Sequence, residues 1–153
     1  MTAPTKTANP AFSATSGQLA TFRLDGDLYG VEVEHVQEVL KSQGLTRVPL
    51  APTAVAGLIN LRGQVVTAIE LRERLGRPPR PEGTDAVVIV VRLHGEAVSL
   101  LVDSIADVVD VDAADFEAPP DTLEGQARDL IRGAYKLDGQ LLLALDVHKA
   151  VSA

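Results

Sequence analysis

The chain has 153 residues, enough for one or two small domains. Its formal net charge of −7 disfavours nucleic acid or an anionic membrane surface as the main partner, and its lack of cysteine excludes disulfides and thiol chemistry. The longest aliphatic runs, at 87–91 and 141–145, are far shorter than the ~20 residues that span a bilayer, so the composition is typical of a soluble globular protein.

The beginning of the chain predicts a tail followed by a strand pair. Residues 1–17 are rich in Thr, Ala, Pro and Ser and lack an apolar core, which predicts a disordered tail rather than a secretory signal. Residues 19–24 and 28–33 alternate like half-buried strands and flank an Asp-Gly-Asp turn. These two segments are therefore predicted to pair as a hairpin.

After this hairpin the apolar spacing changes from that of a strand to that of a helix. Val36, Val39 and Leu40 fall on one helical face, with Glu34 and Glu38 on another. We therefore predict a single helical turn there.

A second hairpin follows in the middle of the chain. Residues 55–61 and 64–71 are predicted strands that turn at Arg62-Gly63, where a glycine can supply the positive φ of a tight turn. A short helical tail is predicted for 71–75, and the Pro-rich segment 77–83 marks a seam in the chain.

Two segments of the chain each recur once, and the second copies follow in the same order as the first. Residues 57–71 align without gaps on 133–147, matching at both glycines, a Leu, a Gln and an Ala. Residues 23–39 align likewise on 92–108, with apolar residues over apolar ones. These matches indicate a duplicated unit of roughly 65–70 residues.

The duplication sets the predicted domain organisation. Residues 18–153 form one domain, made of a subdomain at about 18–83 and a second at about 84–151, whose long connection spans 110–132. Because a unit of this size buries only about 60% of its unfolded surface, the two copies are expected to pack together with a candidate groove between them. Short strands built twice with regular turns predict an all-β fold of two small antiparallel barrels.

Histidine spacing and the standard motifs reveal no catalytic site. His35, His94 and His148 are scattered, without the spacing of a zinc site, so surface or edge positions are expected for them. The nucleophile elbow, the phosphate-binding loop and the dinucleotide fingerprint are all missing from the sequence. These observations favour a binding protein over an enzyme.

Two charged clusters are interpreted as solvated surface. The acidic series lacks the third ligand and the glycine of a calcium loop. Its members are Asp103, Asp107, Asp110, Asp112 and Asp115. The arginines around the Pro-rich seam are expected to form a solvated rim. They are Arg72, Arg74, Arg77 and Arg80.

The turn at Arg62 offers the best candidate for a binding surface. Arg62 stands beside Asn60 and Gly63, and the second repeat has Asp138 in its place, so the fold does not require an arginine there. A guanidinium is an always-charged fork of donors suited to a partner's acceptors. With Glu38 and nearby valines it would form a mixed apolar and charged patch of the kind that interfaces favour; a solvated turn arginine is the alternative.

At these residues the chain closely resembles the CheW family, the adaptors of bacterial chemosensory arrays. The strongest match is Pro49-x-x-Pro52 followed by G-L-I-N-L-R-G-Q-V-V at 57–66 and I-E-L-R at 69–72. Supporting matches lie at 29–39, 101–105 and 137–147, so the resemblance covers roughly 18–151. Thr67, Glu70 and Ser99 depart from the family pattern, and Ser99, which replaces a glycine, puts receptor contact by the second half in doubt.

The resemblance implies two pseudo-symmetric, five-stranded SH3-like β-barrels, no enzymatic activity and no cofactor or metal. It implies a cytoplasmic scaffold, recruited to membrane-associated receptor arrays, that couples the tip of a methyl-accepting chemoreceptor to the regulatory domain of a histidine kinase. It would be a monomer alone and part of a higher assembly with both partners. The implied partner-binding residues are Val36, Glu38, Asn60, Leu61, Arg62 and Gly63. Gly57, Gly133 and Gly139 would support the strand geometry.

Three alternatives stay open. Within the family, one alternative is an adaptor of a chemosensory-like pathway that controls pili or second messengers instead of swimming. An SH3-like module for Pro-rich peptides is disfavoured because few aromatic residues are available to line its groove. A metal-dependent enzyme would have to use the acids between Asp103 and Asp115.

Overall fold

A computed structural model of the chain describes residues 17–41, 45–46, 55–81, 84–123 and 125–152. The strands are β1 (Gly17–Leu24), β2 (Asp27–Glu32), β3 (Val36–Lys41), β4 (Leu45–Thr46), β5 (Val55–Leu61), β6 (Gln64–Glu70), β7 (Val87–Leu93), β8 (Glu96–Val102), β9 (Ser104–Val111), β10 (Phe116–Glu117), β11 (Ile131–Leu137) and β12 (Gln140–Leu145). The helices are α1 (Leu71–Arg74), α2 (Gly125–Leu130) and α3 (Val147–Val151), with 3-10 turns at Val33–His35 and Ala113–Asp115. The chain is therefore all-β with short helical segments, as predicted.

The local predictions for both hairpins are confirmed. β1 pairs with β2 and β5 pairs with β6, both antiparallel, and α1 is the predicted helical tail. The predicted connection at 110–132 is partly ordered, since it holds the end of β9, β10 and α2. Gly17, placed in the tail by the sequence, already belongs to β1; the rest of that tail, with Pro49 and Pro52, lies outside the described residues.

The helical turn predicted around Val36 is wrong. Only Val33–His35 form a 3-10 turn, and from Val36 onward the chain is strand β3, paired antiparallel with β7. The side chains of β3 alternate in burial, with Val36, Glu38 and Leu40 partly buried and Val39 44% exposed. Because Val39 is an apolar residue on the exposed face, the apolar spacing resembled that of a helix although the segment is a strand.

The strands form two six-stranded sheets of matching order. The first sheet is β10-β11-β12-β2-β1-β9 and the second is β4-β5-β6-β8-β7-β3. Each consists of five longer strands and one two-residue strand at its edge, β10 or β4. The two orders coincide when each strand is replaced by its counterpart in the other repeat, so the duplication is present in the fold.

Each sheet combines strands from both repeats. The β1–β2 hairpin of the first repeat joins β9–β12 of the second, while the β7–β8 hairpin of the second repeat joins β3–β6 of the first. Each hairpin meets the other repeat on both of its sides. One junction in each sheet is antiparallel, β1 with β9 and β7 with β3. The other is parallel and in equivalent register, with Ala144 opposite Gly30 in one sheet and Ala68 opposite Ser99 in the other. The boundary near residue 83 separates the repeats in sequence but does not separate the two sheets.

The core has a shared part and two separate parts. The largest cluster takes buried side chains from both sheets, among them Phe22, Val31, Ile89 and Leu100. Two smaller clusters each lie within one sheet, one around Leu142 and the other around Ile59, Ala68, Val88, Val90 and Leu101. Since the shared cluster is the largest, burial between the sheets provides much of the hydrophobic stabilisation.

Ser99 lies at the centre of the second sheet. It occupies the place that Gly30 holds in the first sheet, and its side chain is fully buried. Its Oγ finds no hydrogen-bond partner among the described residues. Because its side chain does not reach the surface, any effect of Ser99 on partner binding would have to act through the packing of the sheet.

Replacing Ser99 by alanine is expected to raise the free energy of unfolding by about 1 kcal/mol. A buried hydroxyl without a partner costs desolvation energy that a methyl group does not. Urea unfolding of wild type and Ser99→Ala measures the difference. A loss of stability in Ser99→Ala would show that the hydroxyl does form a favourable interaction.

Candidate partner-binding surface

The β5–β6 turn is built from local interactions. Arg62 and Gly63 both have positive φ, 52° and 84°, the conformation of a two-residue hairpin turn that matches strand twist. The Asn60 Oδ1 accepts a hydrogen bond from the backbone N–H of Gly63 at 3.0 Å. Asn60 therefore supports the turn, and Arg62 projects from it.

Arg62 and Glu38 form an ion pair across the second sheet. The Arg62 Nη1 lies 2.6 Å from Glu38 Oε2, and the hydrogen bond to Glu38, followed by its charge, raises the pKa of the Arg62 guanidinium. In a flat sheet β5 and β3, the second and sixth strands in order, would lie about 19 Å apart. The contact therefore requires that the sheet curl toward a barrel.

The two partners of this ion pair are exposed to different degrees. The side chain of Arg62 is 75% exposed, whereas that of Glu38 is only 17% exposed. The guanidinium is thus the accessible member, held in place by a half-buried carboxylate. This geometry leaves the remaining donors of Arg62 open to solvent.

Apolar side chains near the ion pair divide into packed and exposed ones. Val36 packs against the shared core and Leu61 against the cluster around Ile59. Val39 and Val65 are 44% and 62% exposed, which is unusual for large apolar residues. Val65 was not named among the binding residues predicted from the sequence, although its position two residues after the turn glycine could have indicated an exposed side chain.

The predicted supporting glycines have distinct environments. Gly57 lies at a register shift of β5 with φ 154°. Gly133 lies under the ring of Phe116, so no side chain fits there. Gly139 has a φ of +81° in the β11–β12 turn. The backbone of the two hairpins thus uses glycine for different reasons.

A groove of about 610 Å³ opens beside the β1–β2 turn. The loop after α1, the segment around 120–127 and strand β12 form its walls. Its apolar lining includes Leu28, Leu75, Leu123 and Leu141, and Arg23 and Arg77 stand at its polar side. The groove is distinct from the Arg62 turn, because the two share no lining residue.

The four arginines near the Pro-rich seam are not a solvated rim, as the sequence suggested. Arg72 is 6% exposed and binds Asp103 through Nε and Nη2 at 2.9 and 2.6 Å. Arg80 donates to Glu70 and to Asp103. Arg74 donates hydrogen bonds to the backbone carbonyls of residues 149 and 150. Arg77 donates hydrogen bonds to the side chains of Asp25, Asp27 and Tyr29. Both arginines therefore connect segments that are distant in the sequence.

The acidic series does not assemble into a metal or acid–base site. Asp103 belongs to the arginine network, and Asp112 accepts a hydrogen bond from the N–H of Ala114 to begin a 3-10 turn. Among the described residues, the group of side chains close enough to share an ion is Glu32, Glu34 and His35. The alternative of an enzyme built on Asp103 to Asp115 therefore finds no support.

The three histidines are not scattered in space. The ring of His148 lies 5.5 Å from that of His35 and 5.2 Å from that of His94, measured between centroids. They come from the 3-10 turn, the β7–β8 turn and α3. No local pattern in the sequence indicates this cluster, because its members are more than fifty residues apart.

The fold and the exposed charged turn define a binding protein of two pseudo-symmetric barrel-like sheets. Residues 18–153 match the family model described as a CheW-like domain. The chain belongs to the CheW family, as the motifs around Arg62 predicted, and it is a non-enzymatic adaptor of chemotaxis signalling. In the described part of the chain, no helix is long and apolar enough to cross a membrane.

Relatives match over most of their length. A chemotaxis protein CheW of Treponema pallidum is 31% identical over 140 residues, covering 89% of this chain and 82% of that protein. One from Rhizobium meliloti is 30% identical over 141 residues, covering 91% of each. The crystal structure of the scaffolding protein TtCheW from Thermoanaerobacter tengcongensis superposes with a TM-score of 0.79 at 28% identity, covering 91% of this chain and 94% of that one.

Proposed function

We propose that this chain couples the tip of a methyl-accepting chemoreceptor to the regulatory domain of a chemosensory histidine kinase. Each partner occupies a separate face, and the protein acts by holding the two in fixed relation. Its place is the cytoplasm, at membrane-associated receptor arrays, where it assembles with both partners. Membership of the CheW family supports this proposal.

The main support for a kinase contact at this turn is the geometry of the Arg62–Glu38 ion pair. Arg62 is 75% exposed although it is hydrogen-bonded to Glu38, so a partner's acceptor can bind an already oriented guanidinium. Pre-orientation lowers the entropy cost of binding, and arginine is common among the residues that dominate interface energies. The exposed Val39 and Val65 supply apolar area near the same turn.

The groove beside the β1–β2 turn is the proposed receptor contact. A helical receptor hairpin presents apolar side chains, and Leu28, Leu75, Leu123 and Leu141 form an apolar floor for them. Arg62 lies outside the groove lining, which supports separate contacts for the two partners.

Replacing Arg62 by alanine is expected to weaken binding to the kinase regulatory domain by about 1–3 kcal/mol, roughly 5- to 150-fold. The melting temperature should stay unchanged, because an exposed ion pair contributes little to stability. Arginine and alanine both have a Cβ, so the substitution does not change the cost of the positive φ at position 62. Calorimetric titration of the two proteins with the regulatory domain measures the affinity.

Asp138→Ala is the matched control, because Asp138 occupies the same turn position in the second repeat. Its affinity should equal that of wild type. Absence of binding by wild type to any chemosensory kinase of the organism would contradict the proposal. Unfolding of Arg62→Ala would instead show that the arginine is structural.

A further inference from the structure

Three imidazoles and two carboxylates converge where the two sheets meet. His148 of α3 lies between His35 and His94, with centroid separations of 5.5 and 5.2 Å. The potential ligand atoms of Glu32, Glu34 and His35 lie within 4.8 Å of one another. No packing demand explains the imidazoles, because His94 and His148 are exposed to solvent.

The internal symmetry shows that the fold does not require histidine at these positions. The repeat alignment equates His94 with Asp25 and Glu34 with Asp103. His148 of α3 corresponds in the same way to Arg72 of α1. Asp25, Arg72 and Asp103 form a network of ion pairs, with Arg72 bound to Asp103 and 4.0 Å from Asp25. The equivalent positions, His94, His148 and Glu34, hold two imidazoles and an acid without a guanidinium.

The separations of the His148 ring from the other two rings match those of imidazoles around one metal ion. Zinc binds imidazole nitrogen at about 2.0–2.1 Å with tetrahedral geometry, which places the centroids of neighbouring rings about 5 Å apart. The ring planes cross at 83° and 44°, so neither pair is a parallel stack. A shared ion would require side-chain rotations that turn one nitrogen of each ring toward a common point.

We propose that His35, His94 and His148 bind a divalent transition-metal ion of the zinc type. Imidazole is a preferred ligand of Zn²⁺, Ni²⁺ and Cu²⁺, and a carboxylate of Glu34 completes the donor set. Glu32 lies 3.3 Å from Nε2 of His35 and fixes the orientation of that ring, as a carboxylate behind a metal-binding histidine commonly does. An adjoining cleft of about 400 Å³, lined by Glu32 and His148, gives solvent access.

Such an ion would connect the two sheets. His94 lies in the β7–β8 turn of the second sheet, α3 follows β12 of the first sheet, and His35 lies on the segment that joins the sheets. Binding would therefore stabilise the arrangement of the two sheets, as any ligand specific to the folded state does. The proposal does not depend on the kinase or receptor contacts.

Calorimetric titration of the untagged, chelator-treated protein with Zn²⁺ tests the site. One zinc per chain is expected, with a rise in melting temperature of about 5–10 °C at a free zinc concentration 100-fold above the Kd. His148→Gln and His94→Asn should each weaken binding at least tenfold, because each removes one ligand. Co²⁺ should give the visible absorption of a tetrahedral site, a readout that is independent of stability.

Asp138→Asn is the control for His94→Asn, since it makes the equivalent change in a turn that lacks the cluster. Its zinc affinity should equal that of wild type. Absence of stoichiometric binding by wild type would overturn the proposal, as would unchanged affinity in both histidine variants. Loss of binding in Glu32→Gln or Glu34→Gln with full binding in the histidine variants would also overturn it, because the ion would then be held by carboxylates alone.

Discussion

Replacing Arg72 by alanine is expected to lower the free energy of unfolding by about 3–5 kcal/mol. Arg72 is 6% exposed, and its Nε and Nη2 bind the two oxygens of Asp103. Its Nη1 donates to the carbonyls of Pro78 and Pro79 at 2.8 and 3.3 Å. Alanine would leave a part-buried carboxylate and two carbonyls without these donors. Urea unfolding measures the loss.

Two further variants separate the causes of this loss. Arg72→Lys keeps the positive charge but lacks the planar fork, so an intermediate loss is expected. Arg62→Ala removes an exposed arginine from an ion pair and should cost far less stability than Arg72→Ala. An Arg72→Ala loss as small as that of Arg62→Ala would mean that the Asp103 network does not stabilise the fold.

The acid dependence of stability provides a second measurement of the same network. Burial, the largest influence, would raise the pKa of Asp103, but the hydrogen bonds from Arg72 and from the N–H of Asp25, with the charges of Arg72 and Arg80, together lower it to about 2. Since the folded-state pKa lies below the unfolded value of about 3.9, this stabilisation is present above pH ~4 and is lost as the pH falls toward 2. Arg72→Ala should therefore lose less stability than wild type between pH 4 and 2.

Features that depend on neighbouring residues could be predicted from the sequence. The turn at Arg62-Gly63 followed from a glycine between two alternating segments, and its positive φ values agree. The duplication followed from alignment of the chain with itself. Membership of the CheW family followed from the residues around that turn. The exposure of Arg62 was expected because side chains project outward from a tight turn.

Features that depend on distant residues could not be predicted in this way. Self-alignment shows which strands are equivalent, but it does not show that the β1–β2 hairpin pairs with β12 of the other repeat. The contact between Arg62 and Glu38 depends on the curl of a sheet whose register was unknown. Arg72 was assigned to a solvated rim because nothing near it in sequence reveals its bond to Asp103, thirty-one residues away. The strand pairing and both side-chain contacts depend on segments that are distant in the sequence.

Alanine at Gly133 is expected to lower the free energy of unfolding by about 3 kcal/mol, at the upper end of overpacking effects. Its Cβ would lie 2.6 Å from the carbonyl oxygen of Glu117 and 2.7 Å from Cε1 of Phe116. Rotating a side chain cannot relieve the contact with a backbone oxygen. Strand β10 would have to move away from β11, and the packing of the Phe116 ring on Tyr135 would change with it.

Gly139→Ala is the matched control for Gly133→Ala, because it makes the same substitution in the same hairpin. No atom lies within 4 Å of its Cβ, so the cost comes from the positive φ alone, about 1–2 kcal/mol. Urea unfolding should therefore rank Gly133→Ala as the more destabilised variant. Removing the ring in the Phe116→Ala/Gly133→Ala double variant should restore only part of the loss, because the Glu117 carbonyl remains. The reverse ranking of the two glycine variants would show that β10 yields easily, so that backbone conformation, not close packing, requires glycine in this hairpin.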